Sequence, residues 1–229
     1  MAPIDPHVVA PDARALREGA WPRSNPQLRK LAELARLFGP HFWLMEGAVA
    51  EVRGNVERNA RKATQDLAHA RRAAERAGFT VAATASRLEE VLAEWDTRSA
   101  TAIAAIDASI VPHTTRPVSE LFNMAVARTA PFADTGAGFR DAVIYLSLVD
   151  EMHRRGFESA ILVTSDTDFR GCASPITGQQ SVVMSLGSAI ENFEQLASAA
   201  HRVADRTREP GERSICTCGA GDRRGEGTR

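Results

Sequence analysis

Residues 138–169 read GFRDAVIYLSLVDEMHRRGFESAILVTSDTDF, and this stretch decides the fold class. Its first part carries apolar residues at helical spacing, which predicts a helix over Gly138–Arg155 that Gly156 ends. The unbroken apolar run that follows predicts a strand over Ala160–Ser165, buried on both faces of a parallel sheet. A helix that leads directly into such a strand is typical of an α/β protein.

The strand ends in two carboxylates, Asp166 and Asp168, which allow two interpretations. Aspartate bonds readily to nearby backbone in turns, so the pair could simply end the strand. Alternatively, open parallel sheets gather ligands at the carboxyl ends of their strands, and two acids placed there could hold a metal ion. Turn formation is the more common role for such a pair, so the choice depends on acids elsewhere in the chain.

The rest of the chain repeats strands and helices, while Ala102–Ile110 fits either a short strand or an irregular link. The other predicted strands are His7–Ala10, Phe42–Met45 and Ser181–Ser185. The other predicted helices are Pro26–Phe38, Glu46–Ala77 with a break near Gly54, Thr84–Trp95, Val118–Arg128 and Ile190–Val203. Strands separated by helices predict an α/β fold, a parallel sheet flanked by helices, with right-handed crossovers.

The composition, with 229 residues of which 44% are hydrophobic and 25% charged, is that of an ordinary globular protein. We expect one folded domain over residues 1–206 and a disordered tail over 207–229, which has no aromatic residue. No apolar run approaches the roughly 18 residues of a membrane span, and no secretory signal is recognisable. We therefore expect a cytoplasmic protein without a membrane partner. Neither a disulfide framework nor a zinc site is predicted from Cys172, Cys216 and Cys218.

The charge distribution leaves two explanations open. The formal net charge of −1 gives no overall sign of nucleic-acid binding, yet basic residues are concentrated between Arg53 and Arg76. Such a helix face could contact phosphates. A solvated face of mixed charge is the more common explanation.

Acidic residues recur where predicted strands lead into helices. Asp12 follows the first strand, Glu51 lies one turn into the helix after the second, and Asp141 lies in the first turn of its own helix. Together with Asp166 and Asp168, these acids would meet at one edge of the sheet, repel each other and raise their own pKa values. A divalent cation removes that repulsion, and oxygen ligands suit Mg²⁺ or Mn²⁺.

Two parts of the chain resemble a PIN-like nuclease domain. In that family an Asp opens a helix and a later strand ends in a Thr-x-Asp-x-Asp-Phe type motif, as Gly138–Ala142 and Thr164–Phe169 do here. Upstream, HVVAPDARALREG resembles the opening strand of the family and MEGAVAEVRG its second acidic segment. The resemblance covers about Val8–Val203. It implies a PIN-like three-layer fold, here with inserted long helices, over the domain expected at residues 1–206.

The resemblance also implies an activity, the hydrolysis of phosphodiester bonds, usually in RNA, with Mg²⁺ or Mn²⁺ as cofactor. The implied metal ligands are Asp12, Asp141 and Asp166. The other candidate site residues are the catalytic acids Glu51 and Asp168 and two residues that would bind substrate, Arg140 and Ser165. Ser165 or Thr164 could bond either a carboxylate or the substrate phosphate, and for Arg140 an exposed position at a helix start is the more common role. Many members are toxins of bacterial toxin–antitoxin pairs. The partners to consider are therefore an RNA substrate, an antitoxin protein and a second copy of the chain.

One departure from the family pattern bears on activity. Asp12-Ala13-Arg14 stands where the family has Asp-Thr-Asn, so the hydroxyl that would hold the first Asp is missing. Arg14 would compete with a metal ion if its side chain entered the site, which predicts weakened activity. The main alternative is a catalytically inactive PIN-like module that binds RNA or a protein. A response-regulator or phosphatase-like acid pocket fits less well, because no Lys occurs beyond Lys62.

Overall fold

The computed structural model describes residues 5–23, 26–80, 87–132, 138–173 and 180–208. The strands in these ranges are β1 (Val8–Pro11), β2 (His41–Met45), β3 (Ser109–Val111), β4 (Ser159–Val163) and β5 (Gln180–Met184). The helices are α1 (Ala13–Glu18), α2 (Pro26–Phe38), α3 (Glu46–Arg76), α4 (Leu88–Ala105), α5 (Val118–Val126), α6 (Phe139–Arg155) and α7 (Leu186–Arg208), with a 3₁₀ helix at Thr167–Ala173.

A five-stranded sheet in the order β3-β2-β1-β4-β5 forms the centre of the fold. All neighbouring strands are parallel, and in this register Val9 pairs with Phe42 on one side and Ile161 on the other. The four residues of β1 are all buried, because the strand has a neighbour on each side and apolar side chains on both faces. The predicted α/β fold with a parallel sheet is confirmed.

Two groups of helices flank the sheet. Helix α2 contacts β2 and packs against α7, which also contacts β4 and β5, whereas α6 contacts β2, β3 and α3. The largest side chains between these layers, Trp43, Tyr145, Phe169 and Phe193, are almost completely excluded from solvent. Burial of such aromatic surface is the main stabilising contribution to this kind of fold.

The inserted long helices are α3, with 31 residues, and α4, with 18. They pack against each other, and the Arg53 guanidinium bonds both carboxylate oxygens of Asp96 at 2.7 and 2.9 Å. The break predicted near Gly54 is wrong, because α3 is continuous there. A glycine costs an exposed helix about 1 kcal/mol, which the packing of α3 against α4 and α6 offsets.

Helix α4 continues past Trp95, where the predicted helix ends, to Ala105. The ambiguous segment Ala102–Ile110 therefore divides between the last turn of α4 and the start of β3. Serine and threonine residues after Trp95 weaken the helical pattern in the sequence. In the folded chain Ser99 is buried and accepts a hydrogen bond from Trp21 Nε1 at 3.1 Å, so tertiary contacts support this part of the helix.

Two elements near the ends of the described chain, α1 and α7, differ from the prediction. The sequence does not predict α1, and α7 continues to Arg208, two residues beyond the expected domain boundary at 206. The start of the helix predicted at Thr84 and the tail beyond residue 208, with Cys216 and Cys218, lie outside the described residues. Within the ranges that the structure describes, no helix is both long and apolar enough to span a bilayer.

Candidate active site

Parallel pairing brings the carboxyl ends of β1 and β4 side by side. The backbone N–H of Asp12 donates to the carbonyl of Val163 at 3.0 Å, and the N–H of Thr164 donates to that of Met184 at 2.8 Å. The ladder therefore continues to the last residue of each strand. Asp12, which follows β1, and Asp166, which follows β4, consequently lie at the same edge of the sheet. We call this region the acidic edge.

Asp12 is the most deeply buried of the predicted acids, with 3% of its surface exposed. Its Oδ1 accepts a hydrogen bond from the backbone N–H of Ala15 at 2.6 Å and so caps α1, while Oδ2 accepts one from the Thr164 hydroxyl. Thr164 thus holds Asp12 in place, although Ala13 lacks the hydroxyl that the family pattern would supply.

Asp141 lies in the first turn of α6. The residue before that helix, Gly138, has a φ of 113°, and a Cβ there would lie only 2.7 Å from the Pro131 carbonyl oxygen. Only glycine fits this position without a shift of the backbone. The start of α6, and with it the placement of Asp141 at the acidic edge, therefore depends on Gly138.

The electrostatics of the acidic edge show that its carboxylates act on one another. The pKa of Asp12 is raised to about 6, mainly by burial and to a smaller extent by the charge of Asp166, although the hydrogen bonds from Ala15 and Thr164 oppose the shift. The pKa of Asp141 is also raised to about 6, mainly by burial and then by the charges of Asp166 and Glu51, while the charge of Arg140 partly opposes the shift. Four of the five predicted acids therefore share one electrostatic environment.

Two arginines lie at the border of this group. Arg140 Nη1 is 3.6 Å from Glu51 Oε1, and Arg14 Nη1 is 3.7 Å from Asp166 Oδ2. Both arginine side chains are exposed, by 71% and 46%, whereas the Glu51 side chain is only 13% exposed. In the part of the chain that the structure describes, neither Asp12 nor Asp141 forms an ion pair.

Asp168 and Ser165 have exposed side chains at the same turn. The backbone N–H of Asp168 donates to Asp166 Oδ1 at 3.1 Å, so Asp166 makes the turn bond and also belongs to the acidic edge. The Ser165 hydroxyl donates to Glu18 Oε1 at 2.6 Å, and Arg14 Nε donates to the same oxygen at 3.2 Å. Glu18 was not identified from the sequence. The sequence offers one indication of its role: Glu18 lies four residues after Arg14, a spacing that predicts an ion pair only if this segment is a helix.

Cys172 is a second residue near the site that the sequence does not identify. The thiol is buried, and its pKa is raised to about 12 by burial and by the charge of Asp141. The Tyr145 hydroxyl donates to the Cys172 carbonyl at 2.8 Å. This bond joins α6, which carries Asp141, to the 3₁₀ helix that follows Asp166.

Comparison with protein-family models matches residues 12–169 to the PIN domain. The matched segment covers more than half of the chain, starts at Asp12 and ends at Phe169. The chain belongs to the PIN domain family. The resemblance identified in the sequence is confirmed, and PIN domains are in general nucleases that use divalent metal ions. No curated protein and no solved structure matches the chain.

The donor chemistry of this PIN domain fits a divalent cation. Burial destabilises the charged forms of Asp12 and Asp141, neither forms an ion pair among the described residues, and Arg140 offsets the shift of Asp141 only in part, so a bound cation would remove a cost already present. In the described ranges, no three His, Cys, Asp or Glu side chains form a group ready to hold a metal ion.

Proposed function

We propose that the protein is a metal-dependent endoribonuclease that hydrolyses phosphodiester bonds in RNA. The observation that carries the proposal is a buried carboxylate, Asp12, held by Thr164 at the carboxyl edge of a parallel sheet and in electrostatic contact with Asp141 and Asp166. The pKa of both Asp12 and Asp141 is raised to about 6 there, which agrees with this arrangement. A buried carboxylate without an ion-pair partner, as Asp12 is, and a partly buried one such as Asp141 both destabilise a folded protein when they are charged. Their presence at such an edge is typical of a functional site rather than of a stabilising one.

In this proposal Asp12, Asp141 and Asp166 hold Mg²⁺ or Mn²⁺. When bound, the cation lowers the pKa of a water molecule and stabilises negative charge on the phosphate oxygens. Bonds from Ala15 and Thr164 fix the Asp12 carboxylate before any substrate arrives. The pKa values of Asp12 and Asp141 are about 6, so both carboxylates are mostly ionised above neutral pH and available as ligands.

The remaining proposed roles concern the border of the acidic edge. Glu51 and Asp168 complete the set of catalytic acids. The charge of Glu51 acts on Asp141 and raises its pKa, and the backbone N–H of Asp168 donates to Asp166 and fixes its carboxylate. Arg140 is mostly exposed, so it can leave Glu51 and contact a phosphate. The Ser165 hydroxyl contacts substrate only after it leaves Glu18.

The alternative function is a catalytically inactive PIN module that binds RNA or a protein. Arg14 supports it, because its guanidinium lies 3.7 Å from Asp166 and competes with a metal ion for that carboxylate. Since Arg14 is also bonded to Glu18 and is half exposed, it can move away, and we favour weakened activity over complete loss. A toxin role, an antitoxin partner, a homodimer and a cytoplasmic location stay predictions.

Cleavage of a single-stranded RNA with and without Mn²⁺ tests the proposal. Asp141→Asn preserves side-chain size but removes one charge, and we expect it to lower the rate about 100-fold, because loss of even an outer partner of a metal site costs about 10- to 100-fold. Glu57→Gln is the matched control, because Glu57 is an acid on α3 that bonds Arg61 instead. Equal inertness of the native protein and Asp141→Asn in Mn²⁺, with RNA still bound, would establish the inactive module.

A further inference from the structure

A groove beside the acidic edge lies between α3, α6 and the segment after β3. Its volume is about 360 Å³, in the lower part of the range for small-ligand pockets, about 300–1,000 Å³. Glu51 and Arg140 line this groove and also border the acidic edge, so the groove opens next to the proposed catalytic acids. A substrate bound at those acids would therefore have the groove within reach.

Phe139 gives the groove an exposed aromatic ring. It is the first residue of α6, and 50% of its surface is accessible although it is large and apolar. A single exposed apolar side chain is ordinary on a protein surface. Here the ring stands in a groove that Arg58 and Arg140 also line. Aromatic rings combined with arginines are the typical surface on which unpaired bases stack.

Arg58 differs from its neighbours on α3 in how its charge is used. Arg61 and Arg71 each bond a glutamate four residues away along the helix. Arg58 instead donates to the neutral side-chain oxygen of Asn55, and among the described residues it has no carboxylate within ion-pair distance. Its positive charge therefore remains available to a phosphate that enters the groove.

Gly47 keeps one wall of the groove open. A Cβ at this position would lie 3.3 Å from His113 Cε1 and 3.3 Å from Ile144 Cγ1, so a side chain would press on both. The His113 ring occupies this space, and its backbone N–H lies 3.4 Å from the Glu46 carboxylate that anchors it. The groove thus has a second planar ring in its lining.

We propose that the groove binds one unpaired nucleotide of a single-stranded nucleic acid, with the base stacked on Phe139 and its phosphates near Arg58 and Arg140. The inference rests on the proposed function, because it assigns the substrate class of the same edge. Bases of a duplex are stacked inside the helix and cannot reach Phe139. The groove therefore selects single strands.

Binding of a labelled single-stranded RNA of about eight nucleotides, followed by fluorescence anisotropy in EDTA, tests the inference. Loss of one base–aromatic stack by Phe139→Ala raises Kd at least about fivefold, and Phe139→Trp restores binding. Arg58→Ala lowers the slope of log Kd against log salt concentration by about 0.7, the value for one phosphate contact on a single strand. A duplex binds more weakly and is insensitive to Phe139→Ala.

Two control variants match these changes. Phe79→Ala removes a phenylalanine that is 68% exposed just after α3, and Arg72→Ala removes an exposed arginine of α3 that bonds the Ala68 carbonyl. Both leave Kd and the salt slope unchanged. A matching single-stranded DNA reports whether the 2′-hydroxyl is needed, and sensitivity to Phe139→Ala in either ligand supports the groove.

Three outcomes overturn the inference. In the first, Phe139→Ala binds single-stranded RNA as tightly as the control Phe79→Ala does. In the second, Phe139→Ala weakens the binding of a duplex as much as it weakens the binding of a single strand. In the third outcome RNA binding is unchanged while sedimentation shows that Phe139→Ala disrupts self-association, which would make the groove a protein contact.

Hydrolysis of a small aryl phosphodiester with Mn²⁺ separates this inference from the proposed function. Such a substrate can react at the acids without filling the groove. Hydrolysis by the native protein but not by Asp141→Asn, with binding indifferent to Phe139, would refute the groove alone. Binding that depends on Phe139 in a protein without any hydrolysis would support the groove and refute the nuclease.

Discussion

On the surface of α3, some of the many basic residues pair with a glutamate four residues away, as Arg61 does with Glu57. At the acidic edge, Asp12 is 3% exposed and, among the described residues, has no cationic partner. Exposed ion pairs contribute little to stability, so their loss is tolerated. Buried carboxylates are destabilising on their own. The two regions therefore differ in what their charges do: those of α3 are neutralised at the surface, whereas those of the acidic edge are suited to bind a cation.

The same contrast appears in the pKa values. The Arg61 side chain holds the pKa of Glu57 below its usual value, whereas burial raises the pKa of Asp12 to about 6. Shifts of opposite sign make opposite contributions to the pH dependence of stability. The acidic edge and the exposed pairs can therefore be distinguished by a pH titration.

The largest expected effect is a loss of stability of the metal-free protein as pH rises. For Asp12 and Asp141 the folded-state pKa, about 6, lies above the ordinary value of 3.8, so the folded protein binds protons more tightly than the unfolded chain. Their stabilising contribution is complete below about pH 4 and is lost as pH rises through 6. Between pH 5 and 7.5 in EDTA, we expect the free energy of unfolding to fall by about 2 kcal/mol, or Tm by about 4–8 °C.

Thermal unfolding at a series of pH values in EDTA measures this effect. Asp12→Asn should remove about half of the decrease, because one of the two groups no longer titrates. Saturating Mn²⁺ should suppress most of it. A Tm that stays level or rises from pH 5 to 7.5 would refute the assignment of destabilised carboxylates to this edge.

A smaller effect is expected from Arg14→Asn. Removal of the guanidinium that lies 3.7 Å from Asp166 should lower the Kd for Mn²⁺ by about three- to tenfold, since an exposed charge at this distance contributes about 1 kcal/mol. Calorimetric titration measures the change. Arg17→Asn is the control, because Arg17 is an exposed arginine of the same helix α1. Equal affinities in both variants would show that Arg14 does not compete with the metal ion.

The smallest effect is expected on α3. Glu57→Gln breaks the exposed bond to Arg61, and we expect Tm to change by no more than about 1 °C and RNA cleavage not to change at all. Thermal unfolding and the cleavage assay check both. A decrease in Tm of several degrees would contradict the expectation that this exposed ion pair contributes little to the stability of the fold.

Much of the fold could be predicted because local signals agree with tertiary structure. The glycine at 156 has a φ of 70° and ends α6 where the sequence indicates. The apolar run before Thr164 forms a central strand as expected. Helix α1 could not be predicted, because six residues are too few to show a period and its stability depends on the Asp12 cap.

Some features of the candidate site could likewise be predicted from the sequence, and others could not. The position of Asp12, Asp141 and Asp166 at strand and helix ends could be read from the sequence, since parallel strands share an edge. The bond from Ser165 to Glu18 joins residues 147 positions apart and has no local signal. The ring of Phe139 beside Arg58 depends likewise on how α6 packs near α3.

The most direct test of the central claim, that the acidic edge is destabilising until a cation binds, is the Tm of Asp141→Asn at pH 7.5 with EDTA and with Mn²⁺. In EDTA we expect this variant to melt about 2–4 °C above the native protein, because it lacks one destabilised charge. Mn²⁺ should raise the Tm of the native protein and leave that of the variant unchanged. A variant that melts below the native protein in EDTA and gains as much from Mn²⁺ would contradict the account.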